Sequence, residues 1–139
     1  MSEIVIDASL ALQWFLEDET DRGYSLGVLK RLSEDSAIVP FLWFYEVGNG
    51  LTMACRRKRI SYQQATEYLT RVRQLPIFAD PAESDLILDL TDLARTYELT
   101  NYDAAYLDLA IRRNIALATT DEALKRAAAK AGVVLLKPT

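Results

Sequence analysis

Apolar residues in this chain follow two rhythms. Short unbroken runs alternate with longer stretches in which apolar positions recur every three or four residues. The runs Ile4-Val5-Ile6, Ala37-Ile38-Val39, Pro76-Ile77-Phe78-Ala79, Ile115-Ala116-Leu117-Ala118 and Val133-Val134-Leu135-Leu136 predict five strands, the unalternating ones buried on both faces. Helices are predicted between them. Ser9 is placed to cap a helix through Leu16, and a second helix is expected from Thr20 to Leu32, with Gly23 and Gly27 weakening its early turns. Pro40 suits the first turn of a helix reaching Cys55, where Arg56-Arg57-Lys58-Arg59 complements the helix dipole. Gly48 and Gly50 inside that helix cost roughly 1 kcal/mol each against Ala, which points to a close approach by another backbone or a ligand.

Ser61 caps a helix to Gln74. Glu83 to Tyr97 is amphipathic, with Leu86, Leu90, Leu93 and Tyr97 on one face. Thr100 and Asp103 stand at capping-box spacing and open a helix to Arg113 in which Ala104, Leu107 and Ile111 point inward. A last helix begins at Thr119-Thr120-Asp121-Glu122 and stops at Gly132. Strands alternating with helices predict an α/β fold: a mainly parallel central sheet of about five strands with helices on both faces, in a single domain spanning 1–139.

Composition narrows the chemistry. The chain has no His, which excludes Ser-His-Asp and Cys-His mechanisms. Its single Cys55 forms no internal disulfide and, without His, makes a zinc site unexpected; a reducing cytoplasm is the natural setting. No apolar run approaches a membrane span, and the N-terminus lacks the basic region of a signal peptide. The net charge of −4 argues only weakly against non-specific nucleic-acid binding.

In parallel sheets the ligand crevice lies outside the carboxyl ends of the strands. Asp7 ends the first strand, Asp121 follows the fourth, and Asp103 opens the helix just before it. Glu46 sits among Trp43, Phe44 and Tyr45, where an unpaired carboxylate is costly, and Asn49 one turn on can orient it. Each Asp also has a plainer reading: Asp7 as an N-cap, Asp103 as a capping-box partner, Asp121 as a first-turn acid. If the four converge, their oxygen-only donor set suits Mg²⁺ or Mn²⁺, which activates water against a phosphodiester. Ser9, Thr119 and Thr120 can then hold water or a phosphate oxygen. Asp108, five residues past Asp103, falls off its face and reads as a solvated rim residue. The basic run, with Arg71, Arg73, Arg112, Arg113, Lys125 and Arg126, reads as solvated helix ends or as RNA-backbone contacts. Trp14, Trp43 and Phe44 read as core or dimer contacts.

Four motifs carry a resemblance: Val5-Ile6-Asp7-Ala8-Ser9, Pro40-x-Leu42-Trp43-x-Tyr45-Glu46-Val47-x-Asn49, Tyr102-Asp103-Ala104-Ala105-Tyr106-Leu107 and Leu117-Ala118-Thr119-Thr120-Asp121. In that order they resemble the motifs of PIN-domain proteins, and within them the VapC-type toxins of prokaryotic toxin–antitoxin pairs. The resemblance implies a three-layer PIN-like fold and Mg²⁺- or Mn²⁺-dependent endoribonuclease activity. It implies an acidic tetrad of Asp7, Glu46, Asp103 and Asp121, with Asp7 and Asp103 the most direct metal ligands and Asn49, Thr120 and Ser9 in support. It further implies an RNA substrate, a homodimer and a cognate antitoxin. Two rivals stay open: a receiver-like phosphoacceptor domain, to which Lys137-Pro138 is similar, and a non-catalytic interaction module of the same fold.

Overall fold

Successive strand residues point to opposite faces, so Ile4, Val5 and Ile6, none more than 2 % exposed, require cover on both sides of the sheet. The computed structural model describes residues 2–81 and 84–137. Its elements run β1 (Glu3–Ile6), α1 (Ala8–Leu12), α2 (Gly23–Arg31), β2 (Ser36–Val39), α3 (Leu42–Arg56), α4 (Tyr62–Arg73), β3 (Ile77–Ala79), α5 (Leu86–Tyr97), α6 (Asn101–Arg113), β4 (Leu117–Ala118) and α7 (Glu122–Ala131). The sheet is parallel throughout, in the order β3-β2-β1-β4, with Val5 opposite both Ile38 and Leu117. β1 is therefore internal, and Asp7 leaves the sheet from its middle. A receiver-like domain carries the flavodoxin order 2-1-3-4-5 instead, and this strand order excludes it. The rival's Pro138 lies outside the described residues.

The α/β architecture agrees with the sequence pattern, and the departures have local causes. The fifth strand is reduced to one bridge, Leu117 to Leu135, so the sheet has four strands among the described residues. Gly132 turns left-handed at φ 76, and the short β4 leaves the chain after it little to pair with. Asp7, not Ser9, caps α1, which ends at Leu12 rather than Leu16. Trp14, Phe15 and Leu16 are all buried, and three consecutive residues cannot share one helical face. Arg22 stabilises the turn, its guanidinium donating to the Gln13 and Trp14 carbonyls at 2.7 and 3.0 Å. Asp21, at φ 57, breaks the helix expected from Thr20, so α2 begins at Gly23. α5 begins at Leu86; the predicted start at Glu83 lies outside the described residues.

Ala104 and Leu107 are buried as expected, but Ile111 is 43 % exposed. Asp108 is not a free rim acid. It accepts from Arg112 at 2.7 Å, and Arg112 and Arg113 also bond the buried Asp80 after β3, at 2.9 and 3.2 Å. These pairs tie the end of α6 to the sheet edge and occupy two cations that the sequence offered for RNA.

The two glycines of α3 differ. A Cβ on Gly50 would collide with the Leu12 side chain, so Gly50 lets α1 lie against α3. Nothing stands within 4 Å of a Cβ on Gly48 among the described residues, so no protein segment makes the expected close approach there. Gly48→Ala is therefore expected to stabilise the protein by up to about 1 kcal/mol. Gly50→Ala gains the same propensity but must displace Leu12, so it is expected to give no net gain. Paired urea denaturation curves check both.

Candidate metal centre

The carboxyl end of β1 delivers Asp7 to the N-terminus of α1, where its backbone is extended and its side chain caps the helix. Oδ1 accepts from the Leu10 amide at 2.9 Å and from the Ser9 hydroxyl at 3.1 Å. Oδ2 accepts from the Thr119 hydroxyl, which follows the neighbouring strand β4. Thr119 in turn accepts from the Asp121 amide at 3.0 Å. Asp121 caps α7 through Oδ2, at 2.8 Å from the Leu124 amide. Asp103 lies in the first turn of α6, its amide donating to the Thr100 hydroxyl at 3.1 Å. Glu46, on α3, accepts from the Tyr106 hydroxyl of α6 at 2.6 Å.

These four acids line one cleft of about 90 Å³ with Ala8, Ser9 and Tyr106. No Lys or Arg is among the lining residues. Three of these carboxyls are pushed the same way. Burial, with the charge of Asp103 adding to it, pushes the Asp7 carboxyl up to about 6 despite three hydrogen bonds that favour its ionised form. Burial and the charge of Asp121 raise Asp103. Burial raises Glu46 as well, against the Tyr106 hydrogen bond, and Asp103 adds to the rise. Tyr106, buried beside Glu46, is held strongly in its protonated, donating form.

A cluster of acids that repel one another without a protein cation fits a bound cation. All its donors are carboxylate or hydroxyl oxygens, the set preferred by hard divalent ions. As the side chains stand, no three of the acids among the described residues enclose one ion position. The arrangement thus fits a largely hydrated Mg²⁺- or Mn²⁺-like ion, held directly by few carboxylates and by others through water, rather than a closed protein cage. Asp7 and Asp103 are the residues that would hold it, with Glu46 and Asp121 beside them.

The four acids foreseen in the sequence do come together. Their bland readings hold as well: Asp7 and Asp121 are N-caps and Asp103 is a first-turn acid. The supporting residues differ. Asn49 is exposed and makes no bond to Glu46 among the described residues; Tyr106 orients that acid instead. Thr120 faces an adjoining cavity, and it is Thr119 that bonds Asp7. Ser9 keeps its place. Tyr106 lay within a quoted motif, but a tyrosine in a helix carries no sign of its partner sixty residues away. Phe44 is only partly covered, while Trp14 and Trp43 are core residues.

The folded Asp7 carboxyl binds its proton more tightly than an unfolded one, so its ionisation costs stability. In metal-free protein, stability from this group is expected to fall as pH rises from about 4 to about 6, by up to about 3 kcal/mol. Asp7→Asn keeps an acceptor for the α1 cap and removes the charge. It is expected to raise the melting temperature by several degrees at pH 8 in EDTA, with the gain vanishing near pH 4. Thermal scans across pH check this.

No curated protein shows a sequence match to the chain. Solved structures do. PAE2754 from Pyrobaculum aerophilum is 24 % identical with a TM-score of 0.68, over 91 % of this chain and 87 % of that one. VapC20 of Mycobacterium tuberculosis, described as a Sarcin-Ricin loop cleaving toxin, is 16 % identical with a TM-score of 0.69, over 97 % of this chain and 99 % of that one. VapBC2 of Rickettsia felis, bound to a DNA fragment from their promoter, is 13 % identical with a TM-score of 0.68, over 96 % and 97 %. At these identities the likeness is one of fold. The PIN domain family model matches residues 4–130, nearly the whole sheet and every acid of the cleft, and the chain belongs to the PIN domain family.

Proposed function

We propose that this protein is a divalent-metal-dependent endoribonuclease and the toxin of a type II toxin–antitoxin pair. The observation that carries the reading is a cleft lined by four carboxylates and no cation, at the carboxyl end of the central strand of a PIN-family chain. The fold shared with VapC20, a toxin described as cleaving the Sarcin-Ricin loop, supports it. A divalent ion held by Asp7 and Asp103 would supply Lewis acidity there, acidifying a water and offsetting phosphoryl charge.

The chain's own residues do the rest. Asp7 and Asp103 provide the anionic seat. Thr119 fixes the Asp7 carboxylate from behind and joins it to the start of α7. Glu46, tethered by Tyr106 on one oxygen, keeps Oε2 free of protein donors among the described residues and is placed to take a proton from the attacking water. That water's oxygen forms the new bond to phosphorus, the P–O bond of the RNA backbone breaks, and the departing oxygen takes up a proton from solvent.

Partners belong to the same proposal. Tyr45 and Tyr102 are 71 % and 66 % exposed, and Phe41, Ile87 and Leu88 are also exposed. Such apolar surface supports a protein partner, either a second copy in a homodimer or a cognate antitoxin. A cytoplasmic setting is part of the reading, with Cys55 a free, buried thiol. No helix among the described residues is long and apolar enough to cross a membrane.

Cleavage of a labelled RNA is expected to require Mg²⁺ or Mn²⁺ and to stop in EDTA. Asp103→Asn is expected to lower the rate by about 10²-fold or more. Tyr106→Phe, which leaves the metal seat intact but frees Glu46, is expected to lower it by about 10- to 100-fold. Full activity in EDTA or in Asp103→Asn would refute the mechanism. Retained metal binding without cleavage of any RNA would favour a non-catalytic module.

A further inference from the structure

A second cavity, of about 320 Å³, adjoins the carboxylate cleft. Ser9 lines both, and Thr120, in the wall of the cavity, precedes Asp121 in the cleft. Its floor is apolar, from Leu12 at the end of α1, Leu16 in the turn beyond it, and Met53 and Ala54 on α3. Its cations have different duties. Arg59 is tied to Asp18 and Glu19 at 2.7 and 3.3 Å, closing one side. The Arg57 side chain makes no hydrogen bond or ion pair among the described residues. Gln13 carries an unmet demand: its Oε1 is enclosed without a donor, one of two such buried side-chain atoms among the described residues. An unpaired buried acceptor costs about 1–3 kcal/mol, which a donor from an occupant would recover once the amide turned toward it.

We infer that this cavity binds the RNA nucleotide adjoining the scissile phosphate, with its base against Leu12, Leu16 and Met53 and its phosphate at Arg57. The inference rests on the reading of the cleft as an RNA-cleaving centre. Four carboxylates repel a phosphate chain, so RNA must gain its hold beside the cleft, where a free cation is available. Arg112 and Arg113 are spent on Asp80, whereas Arg57 stands on a wall continuous with the acids. A flat base suits the apolar floor, and exocyclic amino groups supply the donor that Gln13 lacks.

The test is the affinity of a fluorescein-labelled short single-stranded RNA of randomised sequence, read by anisotropy in EDTA at low salt, so that binding is separated from cleavage. Arg57→Glu is expected to weaken binding about tenfold or more, and Arg56→Glu, the same change one residue away and off the cavity wall, by less than about threefold. Gln13→Leu is expected to weaken it by about threefold or more. Calorimetric Mn²⁺ binding is expected to be unchanged in all three variants, which also reports that they are folded. No RNA binding by the parent protein, equal losses at Arg56 and Arg57, or affinity indifferent to both Arg57 and Gln13 would overturn the subsite. The last result beside intact metal-dependent cleavage leaves the nuclease reading standing and gives the cavity to a protein partner. Arg57- and Gln13-dependent RNA binding without metal-dependent cleavage does the reverse, ending the nuclease reading and keeping the subsite.

Discussion

The buried carboxylate of Asp7 is the constraint on which the site depends. It lies 4 % exposed at the end of the central strand, gripped by a helix amide, a serine hydroxyl and a threonine hydroxyl from the next strand. Those bonds join β1, α1 and the start of α7 around one charge. They do not cover its desolvation, since the group still binds a proton more tightly than in water. The fold therefore holds Asp7 in place while leaving it short of positive charge, the state in which a bound cation contributes most.

The other acids extend the same logic. Asp103 and Asp121 are presented by the N-termini of α6 and α7, where the helix dipole favours negative charge. Glu46 is turned into the cleft by Tyr106. Asp7, Asp121 and Glu46 are thus held by ordinary folding interactions, two N-caps and a tyrosine hydrogen bond, while Asp103 is placed by the capped first turn of α6. The caps and the site are one set of groups, so the structural and chemical readings of these residues do not compete.

Much of this was legible in the chain. The unalternating β-branched runs fixed a doubly covered parallel sheet, and the rule that ligands gather at strand ends selected Asp7 and Asp121. Absence of histidine pointed to carboxylates and hard ions. Tertiary detail was not legible. Thr119 and Thr120 are adjacent and chemically identical, and only the twist of the chain leaving β4 decides which meets Asp7. Asn49 lies one turn from Glu46 in sequence, yet the partner came from a different helix. Asp108 looked solvated because nothing local revealed Asp80 across the fold. The final strand failed because its pairing depended on a two-residue neighbour, not on its own apolar run.

Crystals soaked in Mn²⁺ and measured for anomalous scattering test the central claim most directly. The account predicts a peak in the cleft between Asp7 and Asp103, with Glu46 and Asp121 around it and Thr119 still bonded to Asp7. A cleft without a peak at saturating Mn²⁺, or a peak away from these carboxylates, would contradict it.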